Sequence, residues 1–372
     1  MRISFVLSSL RLSGGVQVIV EYANRMTMRG HQATLIAPGG TLDPHMLNEL
    51  SPEVNVCQSR LPLEPNPDLV HMIRLTWSLA QAVPPSDIVL STHTPTTAAC
   101  LLATRLLKRG RAVWLYQDYW EMFVGRPYES WLLRHALRWH ECALAVSDYC
   151  RQELSSYSPG QVIVVGEGLS HPEQLRPLPA GEARRDVREQ QTILYLGDTR
   201  PRKGLSDFLQ AANLVYERLK DIRLLIVSKQ DCQIESHVPF DYIHKPTRIA
   251  LAQLYATCDL FVSASWREGF GLPPLEAMAC GAPVVLTDSG GVREYARSGE
   301  NCLMVPPRDP IALAEAMVQV LTDTALSERL RRNGPPTAAR FTWKSAVDHF
   351  EHALKGLFAS TKSRSKGGQA CH

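Results

Sequence analysis

Short apolar runs alternate with longer helical patterns along this chain, and a rhythm of that kind feeds a parallel sheet wound with helices. Ile3–Leu7, a helix from about Val16 to Arg29, then Ala33–Ala37, Ile88–Leu90 and Val113–Tyr116 make up its first half. The rhythm breaks over Arg176–Arg185, where Pro, Gly and charge replace apolar periodicity and an interdomain linker is expected. It restarts with Thr192–Leu196, a helix from Leu205 to about Leu219, and then Leu224–Val227, Leu260–Ser263 and Val284–Thr287. The expectation is α/β with two domains, each a parallel sheet wound with helices: residues 1–175, a linker over 176–189, and residues 190–344. A length of 372 residues, beyond what one hydrophobic core keeps growing to fill, also asks for two domains. Val347, Phe350, Leu354 and Leu357 share one helical face, so a C-terminal helix of about 345–360 is assigned to the first domain. Residues 361–372, rich in Ser, Lys and Gly, are read as a disordered tail.

Several classes are set aside by composition. The net charge is +3 and the basic residues are scattered except at Arg200–Lys203, Arg329–Arg332 and the C-terminal tail, so no nucleic-acid partner is expected. The nine cysteines contain no Cys-x-x-Cys pair and read as reduced core fillers of a cytosolic protein. The apolar run at Met1–Leu7 is too short for a signal sequence, and no window holds eighteen uncharged apolar residues, so nothing is expected to span a membrane. Peripheral membrane contact stays open.

The richest stretch runs from Ser265 through Arg267-Glu268-Gly269-Phe270-Gly271-Leu272-Pro273-Pro274-Leu275-Glu276 to Pro283. It reads as a strand end, a glycine-rich loop and a helix that starts at the prolines, where missing N–H groups cost nothing, and stops at Gly281. Amides of Gly269 to Leu272 would face an anion at the positive end of the helix dipole. Glu268 and Glu276 flank the loop and suit hydroxyl-rich partners. The plainer alternative makes Glu276 a complement to the dipole and Glu268 a solvated loop residue.

A second cluster, Gly197-Asp198-Thr199-Arg200-Pro201-Arg202-Lys203-Gly204, follows a strand and precedes a helix. Three cations at the carboxyl end of a strand suit phosphate, against the alternative of a plain basic loop. In the first domain Gly14 and Gly15 lie between the first strand and helix, where a tight turn would explain them nearly as well. Ser91-Thr92-His93 and Tyr116-Gln117-Asp118 follow strands at the edge where ligands of such sheets bind, which makes His93 and Asp118 candidates for an acceptor side. A structural role for His93 competes, since nothing nearby in sequence identifies its partner. No Asp-x-Asp stands ready to hold a divalent cation, and no Gly-x-Gly-x-x-Gly a dinucleotide. No metal and no resident cofactor are expected.

These motifs resemble the family-four glycosyltransferases, retaining enzymes of the GT-B architecture, in which two Rossmann-like doubly wound domains face each other across a cleft. Glu268 through Glu276 matches the family's two glutamates separated by seven residues, and Leu254–Val262 matches the stretch before them. Asp288 to Glu294, Asn301 to Pro310 and Phe341-Thr342-Trp343 continue the likeness. The resemblance implies a nucleoside diphosphate sugar as donor, with Glu276 on its ribose, Glu268 on sugar hydroxyls, and Arg200 and Lys203 on the diphosphate. Phe270, Gly271 and Leu272 would line the donor, and Gly14 and Gly15 would face its phosphates. The acceptor would be a sugar or glycoconjugate. Gln117 stands where many relatives have His, Glu167 where they have Asn, and Arg200 is shifted within its loop. A nucleotide-sugar epimerase of the same architecture, a sugar-nucleotide binding protein without turnover, and a nicotinamide dehydrogenase are the competing readings, the last lacking its glycine fingerprint. The base, the sugar, the acceptor and the oligomeric state are left open.

Overall fold

The structure is a computed structural model that describes residues 1–65, 67–179, 190–230 and 233–366, with side chains up to residue 358. Its described residues fall into two units, Met1–Gly168 with the segment from Trp343, and Leu169–Thr342.

In the first unit, β1 (Arg2–Val6), β2 (Gln32–Gly39), β3 (Asn55–Pro62), β4 (Ile88–Ser91), β5 (Arg111–Tyr116), β6 (Ala143–Ala145) and β7 (Val162–Val164) form one sheet. The order is β3-β2-β1-β4-β5-β6-β7 and every pairing is parallel, so the winding reverses between β1 and β4. Helices cover both faces, which is why Ile3–Val6 and Ile88–Ser91 are buried at every position instead of alternating. The last helix, Trp343–Lys366, returns to this unit. Tyr22 stacks on Phe350 at 4.4 Å and meets Trp343 edge-on at 5.1 Å. Arg29 reaches Asp348 at 2.6 Å and Glu351 at 2.9 Å, and His31 reaches Glu351 at 2.9 Å. The expected face of Val347, Phe350, Leu354 and Leu357 is the buried one, and truncating Phe350 to Ala costs about 3–5 kcal/mol. Helical backbone continues to Lys366, six residues past the expected end, because Lys and Arg extend a nucleated helix at little cost. Residues 367–372 of the expected tail lie outside the described residues.

In the second unit, β8 (Gln191–Leu196), β9 (Ile222–Ser228), β10 (Phe240–His244), β11 (Leu260–Ser263), β12 (Val284–Thr287) and β13 (Leu303–Val305) are ordered β10-β9-β8-β11-β12-β13, again all parallel. The reversal here lies between β8 and β11. One side of the sheet packs Phe261, Met278, Val284 and Tyr255, the other Tyr195, Phe208, Val215 and Met317. Leu169 and Leu175 are buried in the first of these cores, so the chain enters this unit at Leu169, earlier than the expected boundary at 175. Of the expected linker, residues 180–189 lie outside the described residues. Seven cysteines among the described residues form no disulfide, and six of them are buried.

Candidate functional site

Open parallel sheets bind ligands beyond the carboxyl ends of their strands, at the point where strand order reverses. In the second unit the loops leaving β8 and β11 meet there. Gly204 closes the first loop with φ 69°, and a Cβ on it would stand 2.0 Å from the Ala264 carbonyl oxygen at the end of β11. Only glycine lets the two loops approach this closely. The Trp266 amide donates to the Arg202 carbonyl at 2.7 Å, and the Tyr195 hydroxyl to the Lys203 carbonyl at 2.8 Å.

The turn so fixed puts Lys203 Nζ 2.7 Å from Glu268 Oε1, with an Arg202 guanidinium nitrogen 3.6 Å from Oε2. Backbone bonds from Glu268 N to Ser289 O (2.9 Å) and from Gly291 N to Glu268 O (3.1 Å) anchor the glutamate to the loop after β12. Burial alone would raise its pKa, but Lys203 and then Arg202 outweigh it and hold the carboxyl below its ordinary value. Glu268 is therefore an ionised, mostly buried carboxylate rather than a solvated loop residue.

Beyond it the helix Leu272–Ala279 begins at Gly271, which offers no capping side chain. Pro273 and Pro274 occupy its second and third positions and remove two of the N–H groups that a helix start leaves without intrahelical partners. The amides of Gly271 and Leu272 are what this uncapped end can offer an anion. The Phe270 side chain packs at 5.8 Å from both Tyr295 and Phe341 inside the core, so only its backbone can reach a ligand. Glu276 is the fifth helical residue, past the first turn where a dipole contribution fades. The Tyr255 hydroxyl donates to Glu276 at 3.0 Å. Burial raises the Glu276 pKa against that bond and against Lys229 and Arg248.

Lys229 and Arg248 are residues that the sequence alone did not single out. Lys229 directly follows β9, next to β8 in the sheet, and Arg248 opens the helix Arg248–Thr257. The Lys229 side chain keeps access to solvent, yet its ammonium pKa is pushed down, first by desolvation and then by Lys203, Arg248 and Arg200, with Glu276 opposing. Repulsion of this kind is relieved by a polyanion. A basic residue one place past a strand has no local signature, and only the strand order reveals its neighbours. Arg200, in contrast, lies back on Asp198 in a two-pronged pair at 2.8 and 2.5 Å. Among the described residues no three His, Cys, Asp or Glu side chains gather as a metal cage would require.

In the first unit the switch point gathers His93, Gln117 and Asp118 from the loops after β4 and β5 with Gly15, which, like Gly14, lies in the first turn of the helix Gly14–Met28 and not in a loop before it, since Ser13 caps that helix. Gln117 Nε2 donates to Thr92 O at 3.1 Å and to Gly15 O at 3.4 Å. His93 Nδ1 lies 2.5 Å from Asp118 Oδ1, and Oδ2 accepts from the Thr94 amide at 2.6 Å and hydroxyl at 2.7 Å. Burial would raise the Asp118 pKa, but His93 and Thr94 hold it below the ordinary value; desolvation would lower the His93 pKa, but Asp118 raises it. An ionised Asp118 fixes the proton on Nδ1 and leaves Nε2 as the ring's other functional nitrogen. The partner that sequence reasoning lacked for His93 is Asp118, delivered by the neighbouring strand.

The linkage signs of this pair define a pH window. The raised His93 pKa adds stability that is complete below about pH 6.5 and lost as pH rises through its folded value. The lowered Asp118 pKa adds stability present above about pH 3.9 and lost as pH falls through its own. The stability gap between the parent and Asp118→Asn is therefore expected to be widest between those limits, at about 1–3 kcal/mol. Denaturant melts of both proteins across pH check this, and a gap independent of pH would refute the coupling.

Residues 12–171 match the family profile described as Glycosyltransferase Family 4, and residues 190–323 the profile described as Glycosyl transferases group 1. The chain is 30% identical to a phosphatidyl-myo-inositol mannosyltransferase of Mycobacterium leprae over 92% of its own length and 93% of that protein's. It belongs to glycosyltransferase family 4. The fold agrees with this family 4 assignment. A sucrose-phosphate synthase from Thermosynechococcus elongatus superposes with a TM-score of 0.81 at 18% identity, over 96% of this chain and 99% of that one. The Anabaena HepE protein, solved with UDP-glucose, gives 0.76 at 19% identity over 96% and 100%. Both sheets of this family 4 glycosyltransferase thus carry their polar clusters at the switch points common to doubly wound folds.

Proposed function

We propose that this glycosyltransferase moves a sugar from a nucleoside diphosphate to a hydroxyl acceptor, with retention of configuration and without a divalent metal. The observation that carries the reading is the Lys203–Glu268 pair at 2.7 Å, set at a switch point beside a helix start that no side chain caps. Cations and open amides suit a diphosphate, and an ionised carboxylate between them suits sugar hydroxyls. HepE, of like fold, was solved with UDP-glucose, which supports a donor of that class.

In this reading Lys203, Arg202, Lys229 and Arg248 bear the charge of the departing diphosphate, and Arg200 joins them when it leaves Asp198. Glu276 holds the ribose and Glu268 the transferred sugar. The bond from the anomeric carbon to the phosphate oxygen breaks, the acceptor oxygen bonds on the same face, and its proton passes to the leaving phosphate. Preorganised charge is then the main catalytic term. His93, oriented by Asp118, is assigned to the acceptor hydroxyl.

Two outcomes test the reading. Turnover is expected to survive chelator treatment, since side-chain cations stand in for Mg²⁺; loss that added Mg²⁺ or Mn²⁺ restores would refute metal independence. Lys203→Ala is expected to weaken nucleoside diphosphate binding by about 1.5–3 kcal/mol, as for a hydrogen bond to a charged group. Arg202 keeps Glu268 partnered in that variant, so the melting temperature should move little. An unchanged dissociation constant in calorimetry would move the phosphate site elsewhere.

A further inference from the structure

The helix Leu69–Ala82 of the first unit buries Leu75 and Leu79 and turns a different apolar face to solvent. Leu69 is 71% exposed and Ile73 61%, and Val70 and Trp77 are exposed beside them. Positions 69, 73 and 77 repeat every four residues and form one continuous stripe. The stripe borders an open groove of 780 Å³ whose walls include Leu69, Ile73, Leu102, Leu106, Tyr128 and Trp139. Leu106, 61% exposed, sits on a π-helical turn, Leu102–Leu106. Scattered exposed leucines are ordinary, but a contiguous aliphatic stripe that runs into an apolar groove marks an interaction surface.

What surrounds the groove identifies its partner. Tyr128, Trp131 and Trp139 are all exposed, and Trp131 and Trp139 lie 5.7 Å apart, ring to ring. Arg134 and Arg138 are exposed on the same segment, Arg74 on the striped helix and Arg105 on the groove wall. Arg105 donates to the Trp139 carbonyl at 2.9 Å, and Arg134 stacks over Trp120 at 4.8 Å. The carboxylates nearby are fewer: Glu129 lines the groove, Glu64 pairs with His71 at 3.1 Å, and Asp68 accepts from the His71 amide at 2.6 Å. Aliphatic side chains bordered by Trp and Tyr and then by guanidinium groups match the depth profile of a lipid monolayer: acyl chains, interfacial belt, anionic headgroups. Among the described residues no helix is long and apolar enough to cross a membrane.

We propose that this face of the first unit seats on an anionic lipid bilayer, with Leu69, Ile73 and Leu106 entering the acyl layer and Arg134 and Arg138 on the headgroups. The full-length protein is expected to sediment with phosphatidylcholine vesicles that contain phosphatidylglycerol, far less with phosphatidylcholine alone, and less as salt rises. Ile73→Asp with Leu106→Asp should abolish sedimentation, and Arg134→Gln with Arg138→Gln should weaken it by about tenfold or more. All four positions are exposed, and only Arg134 gives up a contact, its stacking on Trp120, so melting temperatures should stay close to the parent's. No association of the parent with anionic vesicles, or association untouched by both double variants, would overturn the proposal. So would a parent that ignores vesicles yet self-associates in sedimentation velocity and becomes monomeric with Ile73→Asp, since a second copy would then cover the face. Vesicle binding needs no nucleotide, so its failure and failure of the donor reading are separable.

Discussion

Glu268→Gln is expected to lower turnover by about a hundredfold or more while nucleoside diphosphate affinity stays within about threefold of the parent. The carboxylate lies 2.7 Å from Lys203 and is held ionised by it, so its negative charge is in place before substrate arrives. Glutamine keeps the shape and the acceptor oxygen but removes the charge proposed to steady the sugar as it becomes cationic. Diphosphate binding escapes because Lys203, relieved of its partner, is if anything freer for phosphate. Glu276→Gln should behave in the opposite way. Its amide oxygen can still accept from Tyr255, which preserves the fold, but the charged acceptor proposed for the ribose is gone, and affinity for the bare nucleoside diphosphate should drop by about 1.5–3 kcal/mol. Calorimetry on the diphosphate and steady-state rates on the full donor separate the two effects. Equal loss of diphosphate affinity in both variants, with equal loss of melting temperature, would mean that the glutamates brace the loop and hold no donor.

How much of this was legible in the sequence follows from how local each signal is. Leu260–Ser263 and Val284–Thr287 were legible to the residue, because each is a short apolar run between polar or proline breaks and is buried on both faces. Helix Leu272–Ala279 announced itself through Pro273 and Pro274. The strands β6, β7 and β13 are three residues each, too short for any period to register, and β3 and β10 are edge strands that mix apolar and polar residues. Glu268 and Glu276 stood out because both flank one glycine-rich loop. The His93–Asp118 pair did not, although each residue was a candidate, because their contact depends on β4 lying beside β5. Lys229 and Arg248 were invisible for the same reason: a lone cation acquires meaning only when folding carries other charges to it. Arg200 stood out as a candidate for phosphate, while its closure onto Asp198, two residues before it, was not visible.

Gly204→Ala is expected to destabilise the second unit by about 2–5 kcal/mol, on the order of 5–15 °C in melting temperature. Two costs add. At φ 69° an alanine pays about 1–2 kcal/mol for the left-handed conformation. Its methyl would also stand 2.0 Å from Ala264 O and 2.8 Å from Ala264 C, and neither atom belongs to a side chain that can swing away. Relief requires the β8 loop to retreat from the end of β11. That movement displaces the turn that carries Lys203, which the bond from the Trp266 amide to the Arg202 carbonyl also ties to the β11 loop, so nucleoside diphosphate affinity should fall along with stability. Gly299→Ala separates the two costs, because Gly299 has φ 80° in the same unit with nothing within 4 Å of its added methyl. It should cost about 1–2 kcal/mol and leave ligand affinity alone. Thermal melts and calorimetry on both variants give the comparison. If the two substitutions cost the same and neither touches affinity, the approach of the β8 and β11 loops would not be what sets the Lys203–Glu268 geometry, and the donor site would have to be supported from elsewhere.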